Sequence, residues 1–166
     1  MPMKHHKKNL LAYLSFLAIL ISAIYLPGLF GPFVFDDLSN ITNNSLLRIN
    51  SINLNDLKIS ALSGKAGPLQ RPIPMLSFAL NYYFSGGYSV SAFKITNITI
   101  HSLNSILVFI FCLQLFKRAA ISSTFTFPAQ SIFWLASGVS LMWAIHPINL
   151  TSVLYIVQRM TSLSTL

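Results

Sequence analysis

Acidic side chains are nearly absent from this chain of 166 residues, which has three aspartates and no glutamate. Charged residues of both signs make up 8% of the sequence, and hydrophobic residues make up 54%. Soluble domains carry about 25% charged residues, so this composition excludes an ordinary soluble domain and predicts a membrane protein. Two of the aspartates, Asp36 and Asp37, are adjacent at the end of the first apolar segment. They are hard to explain as solubilising charge and are the first candidates for chemistry.

Other absences narrow the function further. The single cysteine, Cys112, lies in an apolar run, so no disulfide framework and no thiolate cluster for a metal is available. The sequence contains no glycine-rich phosphate loop, no His-Glu-x-x-His, no Cys-x-x-Cys and no nucleophile elbow. The net charge is +8, but the basic residues are scattered and flank apolar runs instead of forming a basic face with aromatic residues. This pattern argues against nucleic-acid binding.

Three apolar segments are predicted to cross a membrane, at 10–29, 95–116 and 131–145. A bilayer core requires about 20 mainly apolar residues per helix, and the third segment is somewhat short. The basic tail at 1–9 and the loop at 117–130 are cytoplasmic by the positive-inside bias, which puts the acid pair on the periplasmic or luminal side. A secretory signal peptide is the alternative for the first segment, but its apolar run is long and no small-residue cleavage site follows.

The segment at 30–92 is predicted to be an external loop that carries the acid pair. Within it, an apolar stretch at 74–84 begins at a proline and ends before Gly86, which predicts a short helix lying on the membrane surface. A helix of a small soluble domain is the alternative. The segment at 146–166 is predicted to be an external or interfacial helix without a stop signal, so the chain is expected to be part of something longer. The expected fold is therefore all-α and multi-pass.

Two sets of polar residues recur at spacings of three, four and three, which places each set on one face of a helix. The first contains Lys94, Asn97, His101 and Asn104, and the second contains Ser152, Tyr155, Arg159 and Ser162. Polar groups in hydrocarbon need partners, so the first set is expected to bond to other helices or to face a hydrated cavity. Arg159, beside the outer leaflet, is predicted either to hold a phosphate or to extend to lipid headgroups.

The acid pair allows three interpretations. One carboxylate can act as general base toward an acceptor hydroxyl while the second orients it or raises its pKa through like-charge proximity. The pair can instead hold a divalent cation, such as Mg or Mn, that neutralises a phosphate leaving group. A structural role is equally open, because the residues at 37–40 include good capping types for a following helix.

Four ordered motifs carry a family resemblance. They are Phe-Val-Phe-Asp-Asp-Leu-Ser-Asn-Ile at 33–41, Arg-Pro-Ile-Pro-Met-Leu-Ser-Phe-Ala-Leu-Asn-Tyr at 71–82, Lys-Ile-Thr-Asn-Ile-Thr-Ile-His-Ser-Leu-Asn-Ser at 94–105 and His-Pro-Ile-Asn-Leu-Thr-Ser-Val-Leu-Tyr-Ile-Val-Gln-Arg-Met-Thr at 146–161. Their order and spacing resemble the amino-terminal part of the GT-C membrane glycosyltransferases that carry tetratricopeptide repeats, relatives of the transmembrane O-mannosyltransferases. The sequence departs from that family in length, because its members continue through many more helices and usually a soluble repeat region.

The resemblance implies a fragment of an enzyme that transfers a hexose from a polyprenyl-phosphate donor to a hydroxyl of a protein or glycan. It implies that Asp36 and Asp37 are the catalytic residues. It also implies donor-phosphate contacts at Arg71, His146 and Arg159, and a cavity lined by Asn97, His101, Asn104, Tyr155 and Gln158. The expected partners are membrane lipids, the donor, the acceptor and the remainder of the enzyme. The alternative is a non-enzymatic membrane scaffold, an assembly factor or an inactive remnant.

Overall fold

The computed structural model describes residues 3–65, 67–122 and 128–165. Within them the helices are α1 (Met3–Tyr25), α2 (Leu54–Ala61), α3 (Pro72–Ser85), α4 (Val90–Ser122), α5 (Ala129–Ala144), α6 (Asn149–Leu154) and α7 (Arg159–Ser162). Short 3-10 turns and one π-helical turn, Leu38–Thr42, are the other regular elements. The described residues contain no strand, which confirms the prediction of an all-α chain.

The helices α1, α4 and α5 pack through one apolar face of α1. The buried residues of this face recur every fourth position, as Tyr13, Leu17, Ile21 and Tyr25. That spacing keeps side chains on one side of a helix. They share a core with Phe109 of α4 and Phe133 of α5. The helix α1 is therefore part of the core of the fold.

The helices α1 and α4 run in opposite directions. The ring of Tyr25, at the end of α1, lies 5.5 Å from that of His101, early in α4. The ring of Tyr13, early in α1, lies 4.9 Å from that of Phe109, further along α4. The basic start of α1 and the basic end of α4 therefore lie at the same end of the bundle.

Two helical stretches are long and apolar enough to cross a membrane, Lys8–Gly28 and Val90–Ile121. They correspond to the first two predicted spans. The predicted third span corresponds to α5, which has 16 residues and is about 24 Å long, shorter than a bilayer core. The structure thus supports two spans where the sequence predicted three. The predicted loop at 117–130 is partly helical, because α4 continues to Ser122, and residues 123–127 of that loop lie outside the described residues.

A second core lies at the end of the bundle where α1 stops. It joins α3, the start of α4 and the segment after α6, and its buried members include Ile41, Met75, Phe78, Phe93, Ile156 and Met160. The helix predicted at 74–84 is present as α3. It begins at Pro72, whose fixed backbone angle suits a first helical turn, and it stops before Gly86, which has a φ of 66°.

The segment after His146 is not the single helix that the sequence predicted. After α6, Tyr155 is extended, with φ −89° and ψ 109°. The chain then resumes as a 3-10 turn, Ile156–Gln158, followed by α7. Ser152, Tyr155, Arg159 and Ser162 therefore do not share one helical face.

Candidate functional site around two adjacent aspartates

The two adjacent aspartates have different environments. Asp36 is exposed to solvent. Only 1% of the surface of Asp37 is exposed to solvent. One carboxylate is thus accessible to a ligand, and the other is enclosed by protein.

A hydrogen-bonded turn fixes the backbone on both sides of Asp36. The Asp37 N–H donates to the Val34 carbonyl at 2.9 Å, and the Leu38 N–H donates to the Phe35 carbonyl at 3.1 Å. The Val34 N–H donates to Oδ2 of Asp37 at 3.1 Å. Phe35 has a φ of +44°, which is an outlier for so bulky a residue. The bonds on either side of Phe35 hold it in this conformation.

Asp37 also binds the segment after α6. The Val157 N–H donates to Oδ1 of Asp37 at 2.7 Å. Because Tyr155 is extended, the amides that follow it lack carbonyl partners in a preceding helical turn, and the carboxylate supplies one. Asp37 makes no side-chain cap to the adjacent turn, Leu38–Thr42. The predicted cap of the following helix is therefore wrong, and Asp37 instead caps a backbone amide 120 residues later in the chain.

Burial and the neighbouring donors have opposite effects on the pKa of Asp37. Burial raises the pKa of its carboxyl, whereas the backbone amides of Val34 and Val157 and the positive charge of Lys94 act in the opposite direction. The Nζ atom of Lys94 donates to the carbonyl oxygens of Gly28 at 2.8 Å and Gly31 at 3.2 Å. The loop that carries the aspartates is thereby attached to the start of α4.

Tyr155 connects the exposed aspartate to the segment after α6. The Asp36 N–H donates to Oη of Tyr155 at 3.0 Å. The carbonyl oxygen of Asp36 accepts a hydrogen bond from Nδ2 of Asn40 at 3.0 Å. Partial burial raises the pKa of the Tyr155 phenol, and the negative charges of Asp36 and Asp37 add to the rise. Tyr155 therefore keeps its proton at neutral pH and holds a hydroxyl next to Asp36.

Arg159, one of the predicted phosphate contacts, is enclosed in the second core with 0% of its surface exposed. Its Nε donates to Oδ1 of Asn97 at 2.7 Å and its Nη2 to the Phe93 carbonyl at 2.7 Å, while Nη1 donates to the hydroxyl of Ser77 at 3.2 Å. The ring of Phe78 lies 4.6 Å from the guanidinium carbon. Burial lowers the pKa of Arg159 to about 9, so the side chain is still charged at pH 7. A side chain without exposed surface does not fit a donor-phosphate contact, and Arg159 instead joins α3, α4 and α7.

The other two predicted phosphate contacts, Arg71 and His146, are exposed. Arg71 precedes α3 with a φ of +46° and lines a cavity of about 490 Å³ between α3 and the end of the described chain. The cavity is mostly apolar, with lining residues that include Leu69, Ile73, Met160 and Leu163. His146 lies outside that lining, and its Nδ1 accepts the Ile148 N–H at 3.2 Å. The structure therefore places Arg71 at an apolar cavity and His146 elsewhere.

The polar set on α4 forms hydrogen bonds between helices, as one of the two interpretations predicted. Nδ2 of Asn97 donates to the Val153 carbonyl at 3.1 Å, and Nε2 of His101 pairs with the Ala144 carbonyl at 2.9 Å. Nδ2 of Asn104 donates to the Ser162 carbonyl at 3.0 Å. Of the residues predicted to line a donor cavity, these three are buried between helices, and the remaining two, Tyr155 and Gln158, are half-buried.

The aspartate pair does not present a joint metal site. Both oxygens of the enclosed Asp37 accept backbone amide hydrogens, so the two carboxylates do not converge on one exposed position. Nowhere in the described part of the chain do three or more His, Cys, Asp or Glu side chains form a group that could hold an ion. A divalent cation shared by Asp36 and Asp37 does not fit this arrangement.

Sequence reasoning missed Phe35, which is 84% exposed directly before Asp36. The alternating pattern Phe33-Val34-Phe35 could have indicated this. The ring of Phe33 packs 5.8 Å from that of Phe93, whereas the ring of Phe35 is exposed. It also missed the contacts of Arg159 with Ser77 and Phe78. The contact with Ser77 spans 82 residues, and neither contact has a local pattern in the sequence.

Comparison with known proteins gives a partial match. Over 138 residues, 78% of this chain, the sequence is 33% identical to the mouse protein named Protein O-mannosyl-transferase TMTC4 and 31% identical to the human protein of that name. The matched stretch is 18% of the length of each relative. No family model and no solved structure matches the chain. The chain is thus similar to part of two proteins named as O-mannosyl-transferases, and its two candidate spans support a membrane protein.

Proposed function

We propose that this chain is part of an integral-membrane glycosyltransferase of GT-C type, which transfers a hexose from a polyprenyl-phosphate donor to a hydroxyl of a protein or glycan acceptor. The observation that carries the proposal is the division between the aspartates: an exposed Asp36 is held in a fixed turn by a buried Asp37. This division lies in a chain that is similar over most of its length to part of two named O-mannosyl-transferases.

In this proposal Asp36 is the general base. The acceptor hydroxyl oxygen attacks the anomeric carbon of the hexose as its proton passes to the Asp36 carboxylate. The bond between the anomeric carbon and the phosphate oxygen breaks, and its electron pair leaves with the polyprenyl phosphate. Asp37 does not touch the substrate, because it is enclosed; it positions Asp36 by fixing the turn and the segment that carries Tyr155.

The donor is proposed to bind at the cavity beside Arg71. An apolar cavity with one exposed guanidinium suits a ligand that combines a hydrocarbon chain with a phosphate. His146 lies outside the lining of this cavity and is given no part in phosphate binding here. Arg159 has no part in donor binding here, because its donors already serve Asn97, Ser77 and Phe93.

The test is sugar transfer in membranes that contain the chain, with radiolabelled polyprenyl-phosphate mannose as the probe donor. Asp36→Asn should abolish transfer while the amount of folded protein stays unchanged. Asp37→Asn should lower both transfer and folded protein, because it disturbs the turn. Full transfer by both single variants and by the double variant would contradict the role of Asp36 as base. No transfer by the unchanged chain above the background of membranes without it would favour the non-enzymatic scaffold, for which the capping contact of Asp37 already offers a structural use.

A further inference from the structure

The exposed aromatic ring next to Asp36 has no role in the proposed sugar transfer. Phe35 is 84% exposed, although three other aromatic residues of this region, Phe33, Tyr88 and Phe93, pack their rings against one another. Water is an unfavourable environment for a ring of this size. The fold therefore keeps an apolar surface in the open directly beside its accessible carboxylate.

The backbone of Phe35 is strained to hold this position. Its φ of +44° is a conformation that bulky residues avoid and that glycine or asparagine adopts at lower cost. Non-glycine residues persist there when the surrounding structure fixes them, and such residues cluster at functional sites. Here the surroundings are the Val34 to Leu38 turn and the bond from the Asp36 N–H to Tyr155. The strain is retained together with a large side chain, which points to a use for the ring itself.

We infer that Phe35 is a binding residue for the hexose of the donor, with its ring as a flat surface for the apolar face of the sugar. A pyranose presents C–H groups on its faces and hydroxyls at its edge, so it is bound by an aromatic face next to polar groups. Asp36, the next residue in the chain, supplies an exposed carboxylate, and the Tyr155 hydroxyl accepts the Asp36 N–H. The inference rests on the proposed function, since it takes the hexose from that reaction and places the sugar ring next to the proposed base.

Three variants separate the ring from the backbone strain. Phe35→Tyr keeps the ring at the same φ. Phe35→Asn removes the ring and adopts a positive φ readily, so a loss in this variant reports the ring and not the turn. Phe30→Asn is the matched control, because Phe30 is also 84% exposed but lies six residues from Asp36. The KM for polyprenyl-phosphate mannose should rise about tenfold in Phe35→Asn, rise less in Phe35→Tyr, and stay within about twofold of the unchanged protein in Phe30→Asn.

A second measurement does not require transfer. Phe35→Trp in lipid nanodiscs should change its fluorescence when polyprenyl-phosphate mannose is added, relative to the unchanged protein, whose native tryptophans give the background. Sugar-free polyprenyl phosphate should leave it unchanged, and brominated lipids should not quench it. A sugar-dependent change supports the inference even where no transfer is detected. Equal responses to both lipids, quenching by brominated lipid, or an unaltered KM in Phe35→Asn would overturn it, and transfer that still depended on Asp36 would leave the proposed function standing.

Discussion

The Oδ1 atom of Asp37 accepts the Val157 amide hydrogen at 2.7 Å, which joins the turn after α1 to the segment between α6 and α7. The same segment carries Tyr155, whose hydroxyl accepts the Asp36 N–H. The two aspartates therefore reach the same distant segment by different atoms. Asp37 uses its side chain and Asp36 uses its backbone, which leaves the Asp36 carboxylate accessible.

Removal of the Asp37 side chain should destabilise the protein strongly. Asp37→Ala leaves the Val34 and Val157 amides without their acceptor, and an unpaired buried donor costs about 1–3 kcal/mol. We expect a loss of about 3 kcal/mol in the free energy of unfolding, measured by denaturant titration in detergent micelles. Asp36→Ala is the control and should change the free energy of unfolding by less than about 0.5 kcal/mol, since its side chain is exposed. Equal effects of the two substitutions would contradict the capping role of Asp37.

The raised pKa of Asp37 predicts a pH dependence of stability. The native carboxyl binds its proton more tightly than the unfolded one, so between the ordinary value of 3.8 and the raised native pKa the native state holds more protons. Stability should therefore fall as pH rises through that window and level off above it. Unfolding titrations at several acidic pH values should show the slope, and it should be absent in Asp37→Asn. A slope of the same size in that variant would assign the titration to another group.

Arg159 and Arg71 should respond in opposite ways to the same substitution. Arg159→Met leaves the acceptors on Asn97, Ser77 and Phe93 unpaired and should cost about 3 kcal/mol of stability. Arg71→Met should leave stability unchanged, since the residue is exposed, and under the proposed function it should raise the KM for the polyprenyl-phosphate donor. Thermal unfolding and donor titration measure the two effects. A stable Arg159→Met protein with a raised donor KM would restore Arg159 as a phosphate contact.

Gly64, in the loop between α2 and α3, should not tolerate a side chain. A Cβ on Gly64 would lie 2.7 Å from the carbonyl carbon of Gln70, which is backbone and can yield only by moving the loop. Gly64→Ala should therefore destabilise the protein by about 1–3 kcal/mol. Gly138→Ala is the matched control, because nothing lies within 4 Å of its Cβ position and alanine favours the helix α5. Comparison of the two melting temperatures tests this, and a neutral Gly64→Ala would show that the loop is free to move.

The membrane orientation predicted from the basic residues is open to direct labelling. Asn40→Cys should react with a membrane-impermeant maleimide added to the periplasmic or luminal side. Arg118→Cys should react only after the membrane is permeabilised. The native Cys112 is buried in the core and provides a low background. The reverse pattern would place the acid pair in the cytoplasm and remove it from any external reaction.

Much of the fold could be predicted from local patterns. The apolar runs predicted α1 and α4, and the proline and glycine around 74–84 predicted α3. The polar set on α4 was predicted to bond between helices because hydrocarbon cannot satisfy those groups. The prediction of a third span was wrong because α5 has only 16 residues. The prediction of one helix at 146–166 was wrong because Tyr155 is extended. The carboxylate that stabilises this break comes from residue 37, which is outside any local window.

The sequence by itself determined that the chain is helical, apolar and nearly free of acids, because composition and spacing are local properties. It also identified Asp36 and Asp37 as candidates for chemistry. Only the tertiary structure decided which aspartate is accessible, that Arg159 is enclosed between Phe78 and Asn97, and that Phe35 remains in the open. The physical reason is that burial depends on contacts between segments far apart in the chain. Adjacent residues with the same side chain can therefore end in opposite environments.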